Sequence, residues 1–459
     1  MDTTNLGRPH SRRTLLKVAG GGAAALTLPT FLIACGDDDE SASTAASTTA
    51  GSGDALKVSA GSDIPKKTVK FGMAPFADAT FYVIAMKQGW FDDVGITIAP
   101  APTGVQVTPD NVVTKMVTGE ADIATFYGPG KIATMAKAPQ LKMFGFSDTY
   151  VGTYILVSPD VNVKTVSEQV AEGVPFDQAI KTSMAALKGQ PVAFSNTGQH
   201  RDFLDQAFQL GGLTYKDVDV VATTDSKILQ LAKGGKTDFT SPEGAAQNIE
   251  LVNDGWKPLV SVDDLLKGLP AGDARSVAAV GHEGPAASEE FLEKERETAL
   301  RFLSVMFRTI DAIHEDPKKY LPDQVPYLES VSGTKTSVQD LETIYKVNDP
   351  LIGFDEQTQY WSDVKAPTSY QTIYNAQIAS AQKGGVLPKG KKYTADDAIV
   401  GKDFYDQLVA LRKGYDEMLP DAKDLSGSQA ALAKEAAAQY KARNYLDAYR
   451  QLKAATSAS

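Results

Sequence analysis

Residues 68–98 read TVKFGMAPFADATFYVIAMKQGWFDDVGITI and decide the fold class of this chain. Residues 68–73 alternate apolar side chains with a period of two, which predicts a β-strand. Residues 81–86 form an apolar stretch that predicts a helix closing at Gly89, and residues 96–98 predict a second strand. A strand, a helix and a strand in this order predict a unit of two parallel strands covered by the helix.

The same alternation continues along the chain and restarts near Gly152. In the first run, it predicts helices at 112–117 and 132–138 and strands at 121–124 and 141–146. In the second run, it predicts strands at 154–157, 190–194, 218–221 and 237–239, with helices at 166–187, 200–210 and 226–233. We therefore expect an α/β protein with two units of similar size, each a mostly parallel sheet flanked by helices.

From Ser288 onward the pattern is predominantly helical. Apolar residues recur at helical spacing in five long segments. These segments are 289–314, 338–345, 369–383, 403–417 and 429–452. We expect the alanine-rich last segment to pack on the folded body rather than to recruit a partner.

Composition excludes several classes of protein. The 459 residues are 42% apolar, which is enough for a sizeable core, and the formal charge is −11. An acidic chain lacks the basic surface that a nucleic-acid-binding protein needs. A single cysteine, Cys35, excludes an internal disulfide framework and a cysteine-rich metal cluster, and the four histidines are widely scattered. We predict no metal site and no cofactor.

The N-terminal segment is interpreted as an export signal. The pair Arg12-Arg13 precedes an apolar stretch over residues 18–34, which ends Leu-Ile-Ala before Cys35. This arrangement resembles a bacterial lipoprotein signal with twin arginines, in which the cysteine is acylated. The alternatives are a short N-terminal membrane helix with an incidental cysteine, and export by the general secretory route. Residues 35–66 include a Ser/Thr/Ala/Gly-rich run that predicts a flexible tether.

Four segments of the folded body resemble the sequence landmarks of one protein family, and they occur in the same order as in that family. The landmarks are an apolar helix ending in Gly-aromatic-Phe, a Gly-acid-x-Asp turn, a Leu-Lys-Gly strand entry and a Gly-x-x-Asp strand with a Pro-containing loop. They occupy residues 85–96, 118–124, 187–193 and 235–243. The chain thus resembles the periplasmic solute-binding proteins of ABC importers for nitrate, sulfonates, taurine and thiamine-precursor pyrimidines.

This resemblance implies a two-lobed periplasmic-binding-protein fold of type II with a helical C-terminal extension. It assigns residues 1–34 to the signal and 35–66 to the tether. In the same assignment, residues 67–152 and 263–383 form lobe 1, residues 153–262 form lobe 2, and residues 384–459 form the extension. The chain is expected to cross from one lobe to the other near residues 146–154 and to return near residues 259–277. The implied function is capture of a small ligand in the cleft and delivery to an ABC permease that works with a separate ATPase chain. We expect a monomer, anchored by lipid on the outer side of the bacterial cell membrane, that binds no nucleic acid.

Candidate ligand-binding residues follow the predicted strands, because the cleft of such proteins lies at the carboxyl ends of the strands. They are Phe76, Asp78, Thr80, Thr103, Gln106, Thr125, Phe126, Tyr127, Tyr154, Ser195, Asn196, Thr197, Gln199 and Glu243. Residues 195–199 open a helix whose free N–H groups suit an anion, although Ser, Asn and Thr are also ordinary helix caps.

The chemistry of these candidates indicates which ligands they favour. They are rich in aromatic and hydroxyl groups, and Arg201 is the one arginine that could join them. A strongly anionic ligand usually takes a guanidinium, so we expect a neutral, zwitterionic or amine-bearing ligand rather than a sulfate-like anion. His200 is expected to be an exposed residue of the first helical turn. Phe126 and Tyr127 are expected as cleft walls, with accessible backbone over residues 128–130.

Two other functions remain open. Enzymes that resemble these binding proteins, a pyrimidine-precursor synthase and a desulfinase, rely on cysteine motifs in the folded body. This body contains no cysteine after Cys35, and no Gly-x-Ser-x-Gly or Walker motif is present. We therefore predict a binding protein rather than an enzyme. A tethered ligand sensor would use the same fold, and the sequence does not separate it from an importer subunit.

Overall fold

The computed structural model describes residues 58–195, 200–363 and 365–457, all within a single contiguous unit that begins at residue 51. The predicted signal with Cys35, most of the tether, and the candidates Asn196, Thr197 and Gln199 lie outside the described residues. None of the described helices is both long and apolar enough to cross a membrane.

Eleven strands within these ranges form two sheets. They are β1 (Lys67–Met73), β2 (Ile96–Ala99), β3 (Val105–Gln106), β4 (Ile123–Tyr127), β5 (Leu141–Met143), β6 (Tyr154–Val157), β7 (Pro191–Ser195), β8 (Asp219–Thr223), β9 (Phe239–Ser241), β10 (Lys257–Ser261) and β11 (Glu283–Ser288).

Each sheet contains one strand that runs against the others. The lobe 1 sheet has the order β2-β1-β4-β11-β5, with β3 also paired to β1, and β11 is antiparallel to both of its neighbours. The lobe 2 sheet has the order β10-β6-β9-β7-β8, and β6 is antiparallel to both of its neighbours. In both sheets the reversed strand is the first one after the chain crosses from the other lobe. The predicted pair of mostly parallel sheets flanked by helices is confirmed, and each sheet is mixed.

Twenty-two helices, counted over the described residues, surround the sheets. They are α1 (Ala77–Thr80), α2 (Tyr82–Lys87), α3 (Trp90–Asp93), α4 (Val112–Val117), α5 (Gly128–Thr134), α6 (Val166–Ala171), α7 (Phe176–Met184), α8 (Arg201–Gly211), α9 (Asp225–Lys233), α10 (Ala245–Asn253), α11 (Val262–Gly268), α12 (Ala274–Val277), α13 (Glu289–Lys294), α14 (Arg296–Glu315), α15 (Pro317–Tyr320), α16 (Val325–Ser332), α17 (Val338–Thr343), α18 (Thr358–Trp361), α19 (Tyr370–Lys383), α20 (Gly401–Met418), α21 (Gly427–Lys441) and α22 (Tyr445–Ser457).

Two of the long predicted helices are each divided in two. Segment 289–314 breaks at Glu295 into α13 and α14, and segment 429–452 becomes the hairpin of α21 and α22. Arg443 between the last two adopts a left-handed backbone with φ of 63°, which ends a helix. Apolar spacing alone did not reveal either break, because the apolar residues of both halves face the same core.

The hydrophobic cores follow the two lobes. The lobe 2 core contains Val192, Phe194 and Leu204 and continues through α11 and α12 to Val280. The return crossing therefore lies at residues 281–283, after the predicted segment 259–277. Helix α19 contributes Tyr374 to the lobe 1 core and Ile373 to the lobe 2 core, so it packs on both.

The last helices pack on lobe 1, as expected for the C-terminal segment. Arg301 of α14 and Asp447 of α22 are both buried, and two N–H groups of Arg301 donate to the Asp447 carboxylate at 2.7 and 2.8 Å. The start of the described chain also contacts α22, where the Gly61 N–H donates to the Arg450 carbonyl at 3.2 Å. The C-terminal hairpin is thereby part of the body and holds residues 61–63, which lie near the end of the predicted tether.

Candidate functional site

Three backbone segments meet where the lobes join. The outward crossing, residues 147–153, pairs with the return crossing through the Tyr150 N–H and the Gly281 carbonyl at 2.9 Å. It also pairs with residues 348–352 of lobe 1, where the Val151 N–H donates to the Asn348 carbonyl at 2.8 Å. A side chain at Gly281 would meet the ring of Tyr127 at 2.2 Å, so glycine permits this ring to lie against the crossing. These segments form the floor of a cleft between the lobes.

The cleft opens through a cavity of about 550 Å³ that is lined from both lobes. Lobe 1 contributes the loop after β1, residues 108–110 and the end of α16, whereas lobe 2 contributes the ends of β7 and β8 and the loop after β9. The carboxyl ends of parallel strands therefore face the cleft, as the fold requires. The residues that line this cavity include Phe76, Ser195, Asp225, Glu243 and Gln247.

A smaller cavity of about 30 Å³ lies below this mouth. Its lining includes acids and aromatic rings from both lobes and from the crossings. The residues are Phe76, Asp78, Tyr127, Tyr150, Glu243, Gly244, Ala245, Glu283 and Asp349. Two adjoining cavities of about 10 and 20 Å³ share Tyr127 with it. We refer to the 30 Å³ space as the inner cavity.

Four of the buried acids come from different elements of lobe 1 and the crossings. Asp78 is on α1, whose start is fixed because Tyr345 Oη donates to the Ala77 carbonyl at 2.7 Å. Glu283 begins β11, and its N–H donates to Asp148 Oδ1 at 3.2 Å. Asp349 follows a π-helical turn at Ile344–Asn348, and its N–H donates to the Ile344 carbonyl. All four carboxyl groups are at least nine-tenths buried.

A fifth acid, Glu243, comes from lobe 2. Its N–H donates to Asp225 Oδ1 at 3.1 Å, and its carbonyl accepts from the hydroxyl of Tyr150. Ser195 Oγ lies 3.5 Å from Glu243 Oε2. Because Tyr150 belongs to the outward crossing, its hydrogen bond to the Glu243 carbonyl joins the loop after β9 to that crossing.

Basic partners do not accompany the lobe 1 acids. Over the described residues, no lysine, arginine or histidine forms an ion pair with Asp78, Asp148, Glu283 or Asp349. Glu283 Oε1 and Asp349 Oδ1 have no hydrogen-bond partner. A buried carboxylate without a counter-charge is unfavourable, so each of these groups favours its protonated form.

The pKa values of the four acids shift accordingly. Burial raises the pKa of Asp78 to about 7. Burial, followed by the negative charges of its neighbours, raises the pKa of Glu283 and of Asp349 well above the ordinary range. Asp148 shifts in the same direction for the same reasons. Acids whose pKa values are shifted this way cluster at functional sites.

His282 adjoins this cluster without supplying a positive charge. Its ring stacks on Phe146, with centroids 4.3 Å apart, and Nδ1 lies 3.1 Å from Tyr374 Oη. Burial lowers the pKa of His282 to about 3, so the imidazole is neutral. The acids therefore face aromatic and neutral groups.

The structure brings seven of the predicted ligand-binding residues to these cavities. The inner cavity and its neighbours are lined by Phe76, Asp78, Thr125, Phe126, Tyr127 and Glu243, and the mouth is lined in addition by Ser195. Phe126 lies within β4 and is buried, while Tyr127 ends the strand. The prediction that the backbone after these residues is accessible is wrong, because residues 128–130 form the buried first turn of α5.

Four predicted residues do not line these cavities. Thr80 is fully buried and accepts a hydrogen bond from Gln324 Nε2 at 3.0 Å. Thr103 hydrogen-bonds Tyr327, and Gln106 is exposed on β3. Tyr154 is half-buried, and its hydroxyl accepts from Asn348 Nδ2 at 2.7 Å. The side chains of Thr80, Thr103 and Tyr154 thus connect elements of the fold.

The expectations for the start of α8 were partly wrong. His200 is buried rather than exposed, with Nε2 at 2.9 Å from Ser241 Oγ, and burial lowers its pKa to about 4. It lines the 10 Å³ cavity together with Asp202. Arg201 is exposed and stacks on the ring of Tyr215, 4.4 Å from its centroid, so it does not line the cavities described above.

Sequence reasoning missed four residues of the site: Asp148, Tyr150, Glu283 and Asp349. One signal could have found the acids. The signal is clearest at Glu283, which interrupts a run of mostly apolar and small residues, Val-Gly-His-Glu-Gly-Pro-Ala. An acid in an apolar run is buried, and buried acids are rare unless they are paired or functional.

The comparisons with known proteins agree with this architecture. Residues 62–270 match the model of the NMT1-like family. This segment begins before β1 and ends after α11, so it spans most of lobe 2 and the first part of lobe 1. No curated protein sequence matches the chain.

Two solved structures are similar to most of the chain. One is a periplasmic sulfonate-binding protein from Methylobacillus flagellatus, with a TM-score of 0.51, 14% identity, and coverage of 76% of this chain and 95% of the other. Another is the periplasmic nitrate-binding protein of Synechocystis, with a TM-score of 0.52, 15% identity, and coverage of 75% and 89%. At such identities the likeness concerns the fold. The chain therefore has the periplasmic-binding-protein fold and contains a segment that matches the NMT1-like family, which confirms the resemblance of its sequence landmarks.

Proposed function

We propose that this protein is the extracytoplasmic solute-binding subunit of an ABC importer, which holds a small molecule in the cleft between its lobes. The observation that carries the proposal is the cleft itself. Residues of both lobes line it, and two backbone crossings connect the lobes below it. Such an arrangement permits closure around a ligand that contacts both sides.

The similar structures support the class of function. Both are named as periplasmic binding proteins, one for sulfonate and one for nitrate. Together with the export signal predicted for residues 1–34, they support a location outside the cytoplasm. Lipid attachment at Cys35 and docking on a permease are parts of the same proposal. A role in binding rather than catalysis fits a body that has no cysteine after Cys35.

The first experiment identifies the ligand and follows closure. Native mass spectrometry of the purified protein would detect a co-purified small molecule. Small-angle scattering would then compare the protein before and after removal of that molecule. We expect the radius of gyration to decrease when the molecule is added back. A radius that stays the same with every bound molecule would contradict closure.

A pair of variants sharpens this experiment. Gln247 of α10 donates through Nε2 to Thr334 Oγ1 at 2.8 Å, which connects lobe 2 to lobe 1 at the cleft mouth. We propose that this interlobe hydrogen bond forms on closure, so replacing Gln247 with Ala should lower the affinity for the ligand by about 5-fold. Gln88→Ala is the control, because Gln88 donates to Asp323 within lobe 1. Equal effects of both changes on affinity would contradict a role for interlobe closure.

Delivery to a permease requires a separate test. The purified protein would be added to vesicles that contain the candidate permease and its ATPase, and uptake of the identified ligand would be measured. We expect uptake to depend on the binding protein. Ligand binding without stimulated uptake would favour the sensor function.

A further inference from the structure

The inner cavity has a set of buried acids that the solute-binding function by itself does not explain. Four carboxyl groups, those of Asp78, Asp148, Glu283 and Asp349, surround it or lie directly behind it without a basic partner among the described residues. A cluster of this kind lowers the stability of the empty protein. Its retention requires a compensating role, and the cavity is the place where a compensating charge could enter.

The residues that carry the unpartnered oxygen atoms line this space. Asp349 is 1% exposed and Glu283 is 3% exposed, yet both line the inner cavity. Asp349 Oδ1 and Glu283 Oε1 each lack a hydrogen-bond donor. Buried polar atoms are almost always paired, so these two acceptors are suited to donors that arrive with a ligand.

The walls of the cavity also favour a positive charge. The rings of Phe76, Tyr127 and Tyr150 line it, and the two tyrosine rings meet edge to face with centroids 5.7 Å apart. Aromatic faces attract cations through the ring quadrupole. Of the described residues, no lysine or arginine lines the inner cavity. The same holds for the two adjoining cavities and for the cavity at the cleft mouth, as far as the chain is described. An anion in this site would therefore meet no lysine or arginine side chain of the described residues.

Size and geometry restrict the cation further. The inner cavity of about 30 Å³ has room for about two water molecules, which suits a primary ammonium group. The adjoining 20 Å³ cavity is lined by Ala74, Val107, Val112 and Phe126, which suits a short hydrocarbon stem. No set of three or more His, Cys, Asp or Glu side chains in the described chain is arranged to hold a metal ion.

We propose that the inner cavity binds the ammonium group of a small primary amine, with Asp349 and Glu283 as its hydrogen-bond acceptors. The proposal rests on the solute-binding function above and names its substrate class. The ammonium group supplies three N–H donors and one positive charge, whereas a quaternary ammonium supplies the charge without the donors. Phe76, Tyr127 and Tyr150 enclose the head group.

The test is a matched ligand series measured by titration calorimetry. Straight-chain amines of two to six carbons are compared with alcohols and sulfonates of equal length and with tetramethylammonium. We expect amines to bind at least about 100-fold more tightly than the matched alcohols and sulfonates, because each hydrogen bond to a charged group contributes strongly. Failure of every amine in the series to bind, or tighter binding of sulfonates, overturns the proposal.

Isosteric variants locate the site. We expect Asp349→Asn and Glu283→Gln each to weaken amine binding at least about 10-fold while the protein stays folded, as circular dichroism would verify. Asp264→Asn is the control, since Asp264 is a buried acid bonded to Ser261 and Ser167 in lobe 2, away from the cleft. Unchanged amine affinity in both cleft variants overturns the assignment of these acceptors.

The outcomes separate this inference from the proposed function. If a co-purified sulfonate or neutral solute closes the lobes in scattering, the solute-binding function holds and the amine inference fails. If no molecule changes the radius of gyration, the solute-binding function fails with it.

Discussion

Asp447 and Asp349 are both buried aspartates, one in the C-terminal hairpin and one at the cleft, and their surroundings differ in one respect. The carboxylate of Asp447 accepts hydrogen bonds from Arg301, Arg450 and Asn444 at 2.7–2.8 Å. Burial acts to raise the pKa of Asp447, but these partners outweigh it and lower that pKa. Asp349 has no basic partner among the described residues, and burial and two neighbouring acids raise its pKa.

The difference separates a structural acid from a functional one. Where a carboxylate serves the fold, the chain supplies its counter-charges, and the complete set is buried with it. Where the counter-charge belongs to a ligand, the empty protein retains the cost of an unpaired group. The three experiments below change one side of this comparison at a time.

The largest effect on the free energy of unfolding is expected at Asp447. Asp447→Asn removes the negative charge that Arg301 faces in a buried position. Breaking a buried pair leaves an uncompensated charge, so we expect the free energy of unfolding to fall by about 3 kcal/mol. Chemical denaturation at pH 7.5 would measure it.

The control for this change is Glu417→Gln on α20. Glu417 is exposed and pairs with Lys413 at 3.7 Å. We expect its replacement to change the free energy of unfolding by less than about 0.5 kcal/mol. A loss below about 1 kcal/mol at Asp447 would mean that its ion pairs do not stabilise the fold.

A smaller effect of opposite sign is expected at the cleft. Asp349→Asn removes one of the mutually repelling acids without changing the volume of the side chain. We expect the free energy of unfolding of the ligand-free protein to rise at pH 7.5 by about 1 kcal/mol, the usual size of one stabilising substitution, because the neutral asparagine avoids the burial cost and the repulsion that raise the pKa of Asp349. Denaturation under the conditions used for Asp447→Asn would measure the change, and a loss of stability would contradict the interpretation of Asp349 as unpaired.

The last expected effect is a dependence of stability on pH. The folded-state pKa of Asp78, about 7, lies above its ordinary value of 3.8. Between these values the folded protein keeps a proton that the unfolded chain releases, so this group lowers stability as pH rises. The free energy of unfolding of Asp78→Asn should therefore exceed that of the natural protein by an amount that grows from near zero at pH 4 to its largest value above pH 7.

Using the difference between the two proteins removes the contribution of the groups that titrate alike in both. His200 and His282 have lowered pKa values, so their contribution to stability rises with pH over part of the same range. They are present in both proteins and cancel. The acids Asp148, Glu283 and Asp349 also remain, and their shifts would decrease in the variant because the charge of Asp78 is absent. A difference that does not vary between pH 4 and pH 7.5 would refute the raised pKa of Asp78.

Much of the fold could be predicted from local patterns. The period-two alternation before Pro75 becomes β1, and the predicted helix at 112–117 is α4 with the same bounds. The breaks at Glu295 and Arg443 could not be predicted, because both halves of each helix continue the same apolar pattern. Phe76, Tyr127 and Glu243 were found because each follows a strand, and strand ends face the cleft.

The remaining part of the site depends on contacts that the order of residues does not show. The sequence by itself determined the α/β class and the positions of the strand-end residues, because apolar periodicity and turn residues act over a few neighbouring positions. The tertiary structure decided which acids are unpaired. Asp78, Asp148, Glu283 and Asp349 are spread over most of the folded chain and meet where the crossings join the lobes. Whether a buried carboxyl has a counter-charge depends on what the fold places beside it, and that arrangement separates Asp349 from Asp447.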